Sequence, residues 1–220
     1  MPRGRLTPLQ EKVLVLLAEV NPRWTLTGGG ALAAFHLGHR ATRDLDLFWH
    51  GRAELGSLGA DVTRILERAE LLVEALQTAP AFERLQVSDG SESVILDLVA
   101  EAVATVEPPS ETKIGGSRIL VDTPHEILVN KLCTLLNRME LRDLRDVREL
   151  LRQGGDLERA LRDAPRKDGG FSPLMVAWIL RGVSVPDMAP VGALTSEELA
   201  ELVRFKDELV ARLTRVASPE

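Results

Sequence analysis

TGGGALAAFHLGHRATRDLDLFW, Thr27 to Trp49, is the stretch whose reading decides the fold. It joins a run of glycines, a short apolar segment, a basic elbow and two alternating carboxylates. Trp24 to Thr27 is β-prone and ends at Gly28-Gly29-Gly30. Glycines there leave backbone N–H groups uncovered and allow φ > 0, so an anion such as phosphate can approach the main chain. Ala31 to Phe35 reads as a helix starting at that turn, which adds the favourable end of its dipole. The plainer reading is a tight turn with close helix–strand packing.

Asp44-Leu45-Asp46-Leu47 follows the basic residues Arg40 and Arg43. Side chains alternate along a strand, so Asp44 and Asp46 share one face while Leu45 and Leu47 enter the core. Two neighbouring carboxylates repel unless a cation lies between them. As hard oxygen ligands they suit Mg²⁺ that also holds substrate phosphates. The plainer reading is a solvated strand face balanced by Arg40 and Arg43. A dinucleotide-binding G-x-G-x-x-A fit also exists over Gly28 to Ala33. Against it, the intervening helix is too short, a ribose needs one carboxylate, and the later chain turns helical.

Gly28-Gly29, a helix, then Asp44-Leu45-Asp46-Leu47 resembles the signature of polymerase-β-type nucleotidyltransferases. The wording GGGALAAFHLGHRATRDLDLF is more similar still to the AbiEii/AbiGii toxin branch, although Gly30 replaces that branch's usual threonine. The resemblance implies an α/β (α+β) fold: a small mixed sheet with flanking helices, residues 1–122, followed by a helical domain, residues 123–220. It implies transfer of a nucleoside monophosphate from an NTP to an acceptor hydroxyl by two Mg²⁺ ions, with Mn²⁺ as a substitute. Asp44 and Asp46 would hold the ions. Gly28, Gly29, Gly30 and Arg43 would meet the nucleotide.

Other segments fill in the frame. Thr7-Pro8-Leu9-Gln10 is a capping box that opens a helix through about Val20. A helix is expected from Asp61 to about Gln77, burying Leu72, Val73 and Leu76. Phe82–Val87 and Ser93–Val99 read as strands joined by Ser88-Asp89-Gly90. In the second strand Asp97 stands alone among apolar residues, and an isolated buried carboxylate requires a partner or a metal. The resemblance makes it the third catalytic and metal-binding carboxylate; the plainer reading is an edge-strand Asp paired with an arginine. Pro108-Pro109-Ser110 reads as a loop and Ile119–Val121 as a short strand. Thr123-Pro124-His125-Glu126 starts the helical half, where a break in apolar phase near 140–142 separates two helices. Further helices are expected at 156–164, at 173–181 as a core helix, and from Thr195 to about Val216.

Lys131, Arg138, Arg142, Asp143 and Asp146 form a second constellation. Arg138, Arg142, Arg145 and Arg152 have helical spacing, which fits either a cationic stripe or a solvated face paired with nearby acids. The pattern K-x6-R-x3-R-D-x2-D resembles the same toxin branch, which implies that these residues meet nucleotide or acceptor. His36 and His39 read as packed or helix-terminal residues, with contact to nucleotide or acceptor as the sharper alternative.

Net charge −6 argues against a broadly basic nucleic-acid binder, so any such contact must be a local patch. One cysteine, Cys133, excludes a disulfide framework. No apolar run approaches the ~20 residues of a membrane span, and the first residues lack a signal-peptide core. The expected setting is the cytoplasm, without membrane contact. The resemblance points to an RNA acceptor, such as a tRNA 3′ end, and to a separately encoded antitoxin. A small-molecule acceptor such as an antibiotic, a protein acceptor, and a non-catalytic nucleotide-binding regulator are the alternatives.

Overall fold

The computed structural model describes residues 6–38, 40–189 and 194–217. The chain divides into two compact units, Met1–Pro124 and His125–Glu220.

The first unit is built on a mixed sheet of seven strands in the order β3-β4-β5-β2-β1-β7-β6. β1 (Thr25–Thr27) lies antiparallel to β2 (Asp44–His50) and parallel to β7 (Ser117–Val121). β2 runs parallel to β5 (Ser93–Glu101), which is hairpin-linked to β4 (Phe82–Ser88); β3 (Leu72–Ala79) pairs with β4 at the edge. β6 (Ser110–Ile114) closes the other edge against β7. Leu45, Leu47 and Trp49 of β2 are buried and Asp44, Asp46 and Phe48 are not, as the alternation requires. Among the described residues only the β1–β7 and β2–β5 pairs are parallel, which removes the dinucleotide-fold reading.

α1 (Pro8–Leu17) starts at the capping box: Thr7 Oγ1 accepts from Gln10 N at 3.2 Å and Gln10 Oε1 from Thr7 N at 2.9 Å. Leu9, Val13, Leu14 and Leu17 seal its inner face. α2 (Gly28–Ala31) runs straight into a π-helical segment, Leu32–His36. The three glycines are therefore the first turn of a helix rather than a loop before one.

The helix expected to Gln77 stops at Arg68. α3 spans Leu58–Arg68, and the chain then turns through Glu70, whose φ of 61° no helix accepts. Leu71 N reaches back to Leu66 O at 3.2 Å and closes the helix end. Leu72–Ala79 instead satisfies its backbone by pairing with β4, with a register shift between Ala75 and Gln77. Leu72 and Leu76, expected in the core, are exposed. β6 begins at Ser110, where a loop was expected.

The second unit is helical: α4 (Pro124–Asn137), α5 (Leu141–Arg152), α6 (Leu157–Asp163), α7 (Pro173–Arg181), α8 (Val185–Met188) and α9 (Ser196–Ala217). The α4–α5 break falls where the apolar phase slips, and Asp156 and Thr195 cap α6 and α9 through backbone N–H groups. α7 is amphipathic rather than wholly buried. Val176, Ala177 and Leu180 face inward while Leu174, Met175 and Trp178 are exposed. No helix among the described residues is long and apolar enough to cross a membrane.

Candidate active site

A single row of side chains crosses the middle of the sheet. Thr27 of β1 lies opposite Asp46 of β2, Asp46 opposite Asp97 of β5, Asp97 opposite Arg84 of β4, and Arg84 opposite Gln77 of β3. Directly paired residues share a face, so Asp46, Asp97 and Arg84 are neighbours, with Asp44 one pleat along β2. The two carboxylates read from the alternation and the one read from the apolar strand are thus brought together.

Asp97 is buried, and it is not bare. Arg84 Nε donates to Oδ1 and Nη2 to Oδ2, both at 2.7 Å, a side-on fork that uses both carboxylate oxygens. The guanidinium stacks over Phe82, 5.7 Å from the ring centroid. The hydrogen bond to Asp97 holds Arg84 above its ordinary pKa against the pull of burial, and the charges of Asp97, Asp44 and Asp46 add to that. Sequence reading missed Arg84, yet a signal was present. The Ser88/Ser93 pair closes the β4–β5 hairpin, and stepping back four residues from Ser88 and forward four from Ser93 lands on Arg84 and Asp97.

Gly28 alone of the three glycines has a positive φ, 60°. A Cβ there would run into the Asp46 carboxylate, so the missing side chain is what lets that carboxylate lie against the helix start. A Cβ on Gly29 would come 2.9 Å from Arg40 Nη2 and 3.4 Å from Thr42 Oγ1. One on Gly30 would press at 3.3 Å on Leu26 and Leu45. The glycine run therefore serves close packing at the helix start. Asp44 is placed by the loop before it. Thr42 Oγ1 donates to Asp44 O at 3.1 Å, and the buried Gln10 donates its Nε2 to Thr42 O at 3.0 Å. That gives α1 a role at the site which its sequence did not announce. Arg43 exposes its side chain while its carbonyl accepts from Ile95 N at 3.2 Å.

His36 is a packed residue: its Nε2 meets Asp122 O at 2.7 Å, and burial lowers its pKa although that contact opposes the shift. His39 lies outside the described residues.

The row fits a divalent cation only in part. Asp44 and Asp46 offer hard oxygen donors on the half-buried face of β2. Asp97 does not join them as a bare third ligand, because Arg84 engages both of its oxygens. Among the described residues no group of three His, Cys, Asp or Glu side chains is arranged to hold a metal.

The second unit holds an ionic cluster of its own side chains. Lys131 Nζ lies 2.6 Å from Asp143 Oδ1 and 2.9 Å from Asp146 Oδ2, with both carboxylates fully buried. Burial alone would lower the Lys131 ammonium; Asp146 and Asp143 outweigh it and raise its pKa. Arg138 and Arg142 take the opposite position, out in solvent. Both pair with Glu140, at 3.4 and 2.7 Å. The sequence pattern thus separates into a buried lysine–aspartate core and an exposed arginine face.

The model of the nucleotidyl transferase AbiEii toxin family, of type IV toxin–antitoxin systems, matches residues 14–211. The chain belongs to this family. Its fold is similar to that of MenT4, a nucleotidyltransferase toxin from Mycobacterium tuberculosis, at a TM-score of 0.72 and 20% identity over 94% of this chain and 82% of that one. It is also similar to JHP933 from Helicobacter pylori, at 0.51 and 20% identity over 94% and 91% of the two chains. Among curated protein sequences nothing matches. The AbiEii chain is a nucleotidyltransferase with the mixed α/β fold expected of it.

Proposed function

We propose that this AbiEii nucleotidyltransferase moves a nucleoside monophosphate from an NTP to a hydroxyl of an RNA acceptor, a tRNA 3′ end in particular, and releases pyrophosphate. The carrying observation is the row Asp46–Asp97, with Asp44 beside it and Gly28 held against Asp46.

In this reading Asp44 and Asp46 hold a divalent cation, Mg²⁺ or Mn²⁺. When bound, such a cation neutralises triphosphate charge and lowers the pKa of the attacking hydroxyl. Backbone N–H groups of Gly28, Gly29 and Gly30, with Arg43, receive phosphate oxygens. Asp97 fixes the charge next to Asp46. From the second unit, Lys131 with Asp143 and Asp146 serves the nucleotide. The exposed pairs of Arg138 and Arg142 with Glu140 are each worth at most about 1 kcal/mol, so a phosphate can compete with Glu140 for them. That local cationic face, on a chain of net charge −6, supports RNA over a cationic drug as acceptor. The setting is the cytoplasm, with a separately encoded antitoxin as partner.

The test is incubation with α-labelled NTPs, Mg²⁺ and total RNA, beside an Asp46→Asn control. Label is expected in RNA with the natural protein and not with the variant, whose thermal stability is unchanged or higher because a carboxylate repulsion is relieved. Equal labelling by Asp46→Asn overturns the site. Label on an aminoglycoside but not on RNA moves the acceptor to a small molecule.

A further inference from the structure

We propose that Arg84 supplies the positive charge that Asp97 needs, so that the site holds a single divalent cation, on Asp44 and Asp46, with Asp97 as a guanidinium-bound neighbour rather than a ligand. This rests on the reading of Asp44 and Asp46 as the cation site.

Three carboxylates on adjacent strands, about 4.8 Å apart, place three negative charges on one patch of sheet. Compensation by two dications is one solution. The sheet contains another. β4 delivers Arg84 to the far side of Asp97, in the same rung, through a register fixed by the β4–β5 hairpin. Both N–H···O bonds are 2.7 Å long, and the planar fork matches the carboxylate edge. Asp97 is 7% exposed, so the guanidinium also removes the cost of an unpaired buried charge. Phe82 backs the guanidinium and restricts where it can swing. Each Asp97 oxygen spends a lone pair on Arg84, and a dication approaching the remaining ones meets the guanidinium charge beside them.

Mn²⁺ titration without nucleotide, counted by electron paramagnetic resonance, tests this. One ion per chain is expected for the natural protein. Arg84→Met frees Asp97 and is expected to bind two, with the broadened spectrum of a close Mn²⁺ pair. Arg84→Met/Asp97→Asn removes equal and opposite charges and leaves no buried charge unpaired, so its fold is protected if the single variant fails. It is expected to return to one ion with Kd within about twofold of the natural protein. Two ions or none in the natural protein overturn the proposal. So does a tenfold weakening in the double variant, which would make Asp97 a ligand. Counting needs no NTP, so a failure to label RNA with one ion still bound indicts the transfer reading alone.

Discussion

Arg84 and Asp97 face each other across the β4–β5 ladder and share two hydrogen bonds of 2.7 Å. The pair has unequal surroundings, with the arginine side chain 40% exposed and the aspartate 10%. Removing the arginine is therefore expected to cost more than removing both. Arg84→Ala leaves a nearly buried carboxylate unpaired, at about 1–3 kcal/mol. Adding Asp97→Asn is expected to restore most of that loss. Urea denaturation of the two single variants and the double closes the cycle; strictly additive effects would mean that the two side chains do not support each other.

The glycine run divides into one indispensable residue and one tolerant one. Gly28→Ala forces a Cβ into a left-handed backbone and onto the Asp46 carboxylate, so loss of transfer with about 1–2 kcal/mol of stability is expected. At Gly29 the nearest obstacle is the far end of Arg40, which can move aside. Gly29→Ala is expected to fold with unchanged or slightly higher stability, since alanine is the better helix former. Equal melting temperatures and equal activities for the two variants would remove the Gly28–Asp46 contact from the account.

Lys131 is the counter-charge of two fully buried carboxylates. Lys131→Met is expected to lose on the order of 3–5 kcal/mol at pH 8. Its deficit shrinks toward pH 5, because an uncompensated buried carboxylate takes up a proton. In the natural protein the lysine's pKa is raised, so its contribution is complete below the ordinary value of 10.5 and disappears only as pH rises through the folded value. Between pH 5 and 8 this cluster should leave natural stability flat. Thermal melts of both proteins across that range decide it; a variant deficit independent of pH would contradict the buried-charge argument.

Arg138 and Arg142 share Glu140 at the surface, whereas Arg152 pairs with Glu149 and Glu201. Alanine at any of the three is expected to change stability by a few tenths of a kcal/mol. Transfer should separate them. Arg138→Ala and Arg142→Ala are expected to lower kcat/KM about tenfold, equivalent to about 1.4 kcal/mol, and Arg152→Ala much less. Small and equal effects at all three would reduce the stripe to a solvated face.

Burial pushes the Cys133 thiol up to about 12, with Asp168 adding to the shift. Its Sγ also donates to Ala164 O at 3.7 Å. Thiol-specific labelling at pH 8 is expected to be slow in the folded protein and fast in denaturant. Rapid labelling of the native chain would place the thiol outside the helical core.

Features set by short-range chemistry were legible in the sequence. The period-two pattern of Asp44-Leu45-Asp46-Leu47 sends carboxylates and leucines to opposite faces whatever lies beyond the strand. Thr7-Pro8-Leu9-Gln10 closes its own capping box, and the slip in apolar phase before Leu141 forces a new helix. Asp97 could be singled out because a lone carboxylate in an apolar strand must find compensation.

What compensates it is a tertiary matter, because Arg84 reaches Asp97 only when β4 pairs with β5. The helix expected to Gln77 failed for the same kind of reason. Leu72, Val73 and Leu76 carry helical spacing, but β4 offers their backbone a ladder, and those hydrogen bonds outweigh a weak local preference. The separation of Lys131 from Arg138 and Arg142 was also hidden in one charged pattern. Which cation is buried depends on which face of α4 and α5 turns inward, and the chain settles that by packing its apolar residues, not by charge. The sequence by itself determined the alternating carboxylates and the helix starts. The tertiary structure alone decided their partners, because a charge's partner across a sheet or between helices is chosen by register and packing.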